Sequence, residues 1–266
     1  MKWSFHTCGL EWYSFEEAIV ELAEVGYDSC GPTVGPGSHI DPDTITDSEK
    51  AAYKKLAGEK GISFSVLNPW KVGGFAAGVE SGQTEAFYRK TLDLAAEFGA
   101  YGVKFLPGSF AGGESGGWRA MIQVLKPLCH HAEQVGVDLL MHNHENQLID
   151  TANGFALLRH HVGSERLQIN LDCANLAILM DDPCQAIRDF GDHLRYVRVK
   201  GMYNYYPFAQ QCVPGNPGDI VDWKAVVQTL KEVGYEGHVE LVTYPWFPLD
   251  FHRQVIAWAN DLVADL

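Results

Sequence analysis

Basic residues are scarce in this sequence. Twenty Lys and Arg stand against 34 Asp and Glu, a formal net charge of −14. Such a chain has little with which to neutralise phosphates, so nucleic acid is excluded as the expected partner. None of the six cysteines, Cys8, Cys30, Cys129, Cys173, Cys184 and Cys212, forms a C-x-x-C pair. A chain of this length does not need disulfide staples, and the cysteines read as reduced thiols of a cytoplasmic protein. The opening MKWSFHTCGLEWYSF lacks the apolar stretch of a signal peptide. No apolar run is long enough to cross a bilayer, so no membrane partner is expected. No G-x-G-x-x-G follows the first strand pattern, which weakens a dinucleotide-binding reading.

What is present is a globular composition, 46% apolar over 266 residues, enough for one large α/β domain or two small ones. One local pattern recurs: a helical stretch ends in glycine and an apolar strand follows. It appears at AEVGYDSC, AGEKGISFSVL, AAEFGAYGVKFL, AEQVGVDLLMH and KEVGYEGHVELV, around Gly26, Gly61, Gly99, Gly136 and Gly234. A glycine after a helix supplies the left-handed cap that turns the chain. Strands are expected at 2–6, 28–31, 62–67, 102–106, 137–142, 167–172, 195–200 and 238–242. Helical patterns lie between them, the first opened by a Ser14–Glu17 capping box. Eight strands alternating with eight helices give a single (β/α)8 TIM barrel domain over residues 1–266, with a doubly wound open sheet as the alternative.

In such a barrel, active sites lie at the C-terminal ends of the strands. Strand periodicity shows which side chains point inward there. The fifth strand ends in His142, and His144 lies two positions on, where it either faces the same space or caps a loop. In LQINLD, outward Leu167, Ile169 and Leu171 turn Asp172 inward above Asn170. In YVRVKG, outward Val197 and Val199 turn Arg198 and Lys200 inward, although Lys200 could instead snorkel to the surface. In HVELV, outward Val239 and Leu241 turn Glu240 inward. His6 ends the first strand in the same way. His142, Asp172, Arg198 and Glu240 thus form a belt across four consecutive strands. Buried charges are costly unless paired or metal-bound. The belt is either a site or a structural ion-pair network in which Arg198 ties Asp172 to Glu240.

Five segments in order, HNHENQLIDT, NLDCANLAILMDDP, LRYVRVKG, PGNPGDIVDW and GYEGHVELV, resemble the xylose isomerase-like barrels of sugar epimerases, isomerases and sugar-acid dehydratases. The resemblance covers nearly the whole chain. It implies a divalent cation such as manganese, held in that family by Glu, Asp, His and Glu from strands 5 to 8. Asp172 and Glu240 match that set, and His142 stands where the first Glu usually lies. Arg198 takes the place of the metal-binding His within a His-x-Lys-Asp motif, of which Lys200 remains and Gly201 replaces the Asp. Asn175 sits where many members have a substrate-facing His, and Gly31 where the second strand often ends in Glu. A guanidinium has no lone pair to give a metal. The ligands left are His142, Asp172 and Glu240.

The resemblance implies an isomerase or epimerase of carbohydrate metabolism, acting on a sugar or sugar acid in a homodimer or homotetramer. It would move a proton next to a carbonyl through an enediolate. Glu240, His142 and Arg198 are the expected catalytic residues. His6, His144, Asn175, Lys200 and Trp70 are expected to bind substrate. Two alternatives stand beside it: a metal-free isomerase or dehydratase in which Arg198 replaces the cation, and a barrel that keeps a carbohydrate pocket without proton transfer. The rim aromatics Trp70, Tyr203, Tyr205, Tyr206 and Trp246 stack on sugar faces or serve as packing and lid residues. The segment MYNYYPFAQQCVPGNPGD has no regular period and reads as a loop over the pocket or against a neighbouring subunit.

Overall fold

The computed structural model describes residues 1–69, 75, 81–108, 114–145, 147–244 and 250–264. Trp70 and Trp246 lie outside the described residues. Eight strand segments form the frame: β1 Lys2–His6, β2 Ser29–Gly31 continuing as Thr33–Val34, β3 Ser63–Phe64 continuing as Val66–Pro69, and β4 Gly102–Phe105. They are followed by β5 Asp138–His142, β6 Leu167–Asp172, β7 Leu194–Val199 and β8 His238–Leu241. Each pairs in parallel with the next, and β8 pairs with β1, Glu240 opposite Ser4. The two halves of β2 pair with the two halves of β3, Ser29 with Ser63 and Thr33 with Asn68. The ring is therefore closed: a TIM barrel, as the alternation of helix and strand predicts.

The helices form where the sequence marks their ends. α1 (Phe15–Val25) opens on the expected Ser14–Glu17 capping box, and α2 (Asp47–Lys60) on a second one, Thr46–Glu49. Gly26 closes α1 at φ 101°, a left-handed conformation that costs a side chain dearly. Further round lie α3 (Ser81–Phe98), α4 (Glu114–Val135) and α5 (Ala152–Val162). Two short helices, α6 (Cys173–Ile178) and α7 (Pro183–Phe190), share the next crossover, and α8 (Trp223–Glu232) and α9 (Phe251–Ala264) complete the ring. The segment after β7 departs from its expectation as an irregular loop. Gly201–Tyr203 and Gln210–Cys212 pair there as an antiparallel ribbon outside the barrel.

Most of the core lies between strands and helices, from Phe5 and Ile19 through Leu92, Leu125 and Phe155 to Val255. Inside the barrel, Val66, Leu140 and Tyr196 make a small apolar layer. Above it the interior turns polar. Register places Arg198 directly between Asp172 of β6 and Glu240 of β8, which sets the charged belt at one height. All six cysteines are free. Among the described residues, no helix is long and apolar enough to cross a membrane.

The opposite end of the barrel carries an ion-pair network of its own. Asp138, 2% exposed at the start of β5, accepts from Arg166 Nη1 and Arg195 Nε, each at 3.0 Å. Both arginines are partly solvated, which discounts the pairs. Asp138→Ala is expected to lower unfolding stability by about 2 kcal/mol in urea titration, between the surface and buried limits. A loss under about 0.5 kcal/mol would mean that solvent already screens the cluster.

Candidate active site

Each charged side chain of the site is fixed by backbone geometry first. Asp172 ends β6 and is the N-cap of α6: its Oδ1 accepts from the Asn175 backbone N–H at 3.0 Å. That leaves Oδ2 for the interior. Asn143, between the two histidines of HNH, extends the sheet with its side chain. Its Oδ1 accepts from Asp172 N at 2.7 Å, and its Nδ2 donates to Asp172 O at 3.0 Å. Asn175 Nδ2 donates to Asn143 O at 2.7 Å. The β5 and β6 ends are thereby locked together, with His142 and His144 to either side of the strut.

Arg198, 4% exposed, is the centre of the belt. Its Nε lies 2.8 Å from Glu240 Oε2, an ion pair with imperfect hydrogen-bond angles. Its Nη1 donates to His142 Nε2 at 3.3 Å and its Nη2 to His6 Nδ1 at 2.9 Å. A guanidinium can only donate, so both imidazoles accept from it and carry their proton on the other nitrogen. For His142 this is Nδ1, a buried donor without a hydrogen-bond partner. Burial, then the Arg198 and Lys104 charges, hold both histidines well below their ordinary pKa, so both are neutral imidazoles. Cys8 Sγ lies 2.8 Å from His6 Nδ1 and donates to Thr243 O at 3.2 Å. Burial pushes that thiol up to about 12, so it stays protonated.

Glu240 is held from below. Its Oε1 accepts from Tyr196 Oη and Asn68 Nδ2, each at 3.0 Å, and Tyr196 is tied in turn to Ser4 and Ser65. Burial pushes its carboxyl above the ordinary range against the opposing pull of Arg198 and Lys104. Gly31 of β2 makes this arrangement fit: a Cβ there would collide with Glu240 Oε1 and Asn68 Nδ2.

A cavity of about 360 Å³ opens above the belt, walled by Lys104, His142, His144, Asp172, Arg198 and Lys200 together with apolar side chains. Lys200 Nζ is 2.7 Å from Asn175 Oδ1 and 3.2 Å from Asp172 Oδ2. It is an interior residue at 5% exposure, not a snorkelling one. His144 faces the cavity and pairs through Nδ1 with Glu145 Oε2 at 2.9 Å. Its ring centroid is 5.9 Å from that of His142. His6 touches Arg198 and Asn175 holds Lys200, and neither is among the residues of the wall. Tyr205 and Tyr206 are solvent-exposed, and Tyr203 lies on the ribbon after β7.

The residues present do not fit the metal that the resemblance implies. His142, Asp172 and Glu240 do come together, but their atoms turn to protein cations. His142 Nε2 and Glu240 Oε2 face Arg198, and Asp172 Oδ2 faces Lys200. Among the described residues, no group of three His, Cys, Asp or Glu side chains is arranged to hold a metal ion. Lys104, Asn68, Tyr196 and Asn143 were not assigned to the site from sequence. Lys104 follows the same alternation in GVKFL, with Val103 and Phe105 buried outward, and could have been found that way.

A family model described as xylose isomerase-like TIM barrel matches residues 19–261. An inosose dehydratase of Lacticaseibacillus casei is 21% identical over 256 residues, covering 85% of this chain and 80% of that protein. Among solved structures, a D-psicose 3-epimerase determined in the presence of D-fructose superposes with a TM-score of 0.79 at 17% identity, covering 99% of both chains. The IOLI protein with a bound zinc atom superposes at 0.82 and 17% identity, covering 100% of this chain and 99% of that one.

Two outcomes follow from the belt. Glu240→Gln strands a buried guanidinium and should cost about 3–5 kcal/mol in denaturant titration. The Arg198→Met/Glu240→Gln double variant should recover part of that loss. Additive losses in the cycle would show that the two side chains are not coupled. The second concerns pH. His6 and His142 are neutral in the folded chain but titrate near pH 6.5 when unfolded, so the unfolded state binds more protons as pH falls. Their stabilisation is fully present above about pH 6.5 and is lost below it, by up to about 1.4 kcal/mol per pH unit for each histidine. Equal urea midpoints at neutral pH and two units lower would contradict this.

Proposed function

Because the chain belongs to the xylose isomerase-like TIM barrel family, we propose that it moves a proton next to the carbonyl of a small sugar or sugar acid, with Arg198 in the role of the electrophile. The observation that carries this reading is the guanidinium itself. Its Nη1 and Nη2 donate to His142 and His6, its Nε pairs with Glu240, and the side chain forms part of the cavity wall. Each Nη carries a second N–H, and these are the donors that would receive the oxygen of a substrate.

In this reading the substrate carbonyl lies against Arg198 and the neutral Nδ1–H of His142. Asp172 Oδ2, at ion-pair distance from Lys200 but outside hydrogen-bond geometry, takes the proton from the adjacent carbon. The C–H bond breaks and its electron pair forms the enediolate. The resulting oxyanion meets a fixed cation in a water-poor site. Protonation of the opposite face, by a solvent proton and not by Asp172, gives epimerisation, and return of the proton from Asp172 to the neighbouring carbon gives isomerisation. Departure of a β-hydroxyl as water gives dehydration. Glu240 acts through Arg198, holding the guanidinium in place from beneath. An inosose dehydratase relative and a D-psicose 3-epimerase structural neighbour carry the names of a dehydration and an epimerisation, which supports this class of chemistry.

The test is solvent exchange. The protein, treated with EDTA, is incubated with D-fructose, D-psicose, an inosose and a panel of sugar acids in deuterated water and followed by proton NMR. Exchange next to the carbonyl of at least one substrate is expected to persist in the chelator. Arg198→Lys should slow it by about 10²-fold or more, because lysine lacks the planar fork. Exchange abolished by EDTA and restored by manganese would overturn the assignment of Arg198.

A further inference from the structure

The cavity has the opposite electrostatic character to the chain around it. The chain carries a net charge of −14. Among the described residues, the cavity wall holds three basic side chains, Lys104, Arg198 and Lys200, and one carboxylate, Asp172. The three are 3%, 4% and 5% exposed. Gathering buried cations is costly unless negative charge meets them; Glu240, beneath the wall, pairs with Arg198, and Asp172 pairs with Lys200. The two lysines respond differently. Lys200 is held above its ordinary value chiefly by Asp172, against burial. Lys104 is pushed down to about 7 by burial and by the like charge of Arg198. A cavity in that state favours an incoming anion, which would restore the Lys104 ammonium.

Placement points the same way. Lys104 stands on β4 and Arg198 on β7, three strands apart, with His142 and Asp172 on the strands between. The two cations therefore face the cavity from different sides. A volume of about 360 Å³ is at the small end for ligand pockets, enough for a single small sugar derivative.

We propose that the cavity is built for a sugar acid, with Lys104 receiving the carboxylate while the reacting carbonyl lies against Arg198. This rests on the proton-transfer reading above and narrows its substrate class. Within a strongly acidic chain, a recessed basic cavity also concentrates anions beside the charges that hold them. A carboxylate is preferred to a phosphate ester because it is smaller and carries one charge, in keeping with the cavity volume.

The experiment compares the thermal protection given by D-glucuronate and D-galacturonate with that given by D-glucose, D-galactose and D-glucose 6-phosphate. The two uronates should raise the melting temperature by several degrees and bind at least tenfold more tightly than their parent sugars. The gain should vanish in Lys104→Met and in Lys104→Gln. Without ligand, these variants should melt no lower than the parent protein, because burial of the lysine and its like-charge repulsion from Arg198 have been relieved. Equal protection by the neutral sugars, protection that survives in both variants, or protection by none of the five compounds overturns the proposal. Stronger protection by the phosphate ester overturns the carboxylate assignment. The exchange assay separates this inference from the reaction. A uronate that protects through Lys104 without deuterium exchange keeps the anion site and rejects proton transfer. Exchange in a neutral ketose with no preference for carboxylates does the reverse.

Discussion

The ion pair between Arg198 and Glu240, 2.8 Å apart at the barrel's inner floor, is the constraint on which the site depends. Below it, Tyr196, Asn68, Ser4 and Ser65 form a hydrogen-bonded base that holds the carboxylate. Above it, the guanidinium decides which nitrogen of His6 and of His142 carries a proton. A bound metal would draw the same atoms together by coordination, and it could be gained or lost. Here the cation is part of the chain. It is always charged, its donors lie in one plane, and its position is set by the fold and not by ion availability. In the proposed reading, that fixed charge serves as the positive centre.

Much of the site was legible because a strand has only two faces. In LQINLD, YVRVKG and HVELV, the outward apolar residues left Asp172, Arg198, Lys200 and Glu240 with one direction to point, and the structure places all four inside. The histidines of HNH share the cavity for the same reason. What the sequence did not reveal depends on neighbours distant along the chain. Asn143 becomes a strut only through the β5–β6 register. Asn68 and Tyr196 reach Glu240 from strands 172 and 44 residues away. The ribbon after β7 has no barrel partner, and its short antiparallel pairing leaves no alternation long enough to recognise. The metal expected from the family pattern met a residue whose chemistry already opposed it. Only the distances show that His142 Nε2 and Glu240 Oε2 turn to Arg198 and Asp172 Oδ2 to Lys200.

Two ion-pair networks lie at opposite ends of the barrel. Asp138, with Arg166 and Arg195, ties strands at the end where β5 begins, away from the cavity. The belt at the other end carries its charges at a cost, visible in the displaced pKa values of Lys104, His142 and Glu240. Crowding of this kind is concentrated at functional sites, although structural ion-pair networks produce it as well.

Gly31 closes position 31 to any side chain. The pattern resembled here often places a glutamate at the end of the second strand, and in this barrel the same space is taken by Glu240 and Asn68. The two arrangements exclude each other. A side chain at position 31 would push Glu240 off the guanidinium, whereas a histidine at position 198 would by itself complete the strand 5 to 8 set that the resemblance implies. The two positions therefore differ in kind: one is closed by packing against Glu240 and Asn68, and the other sets the chemistry of the belt.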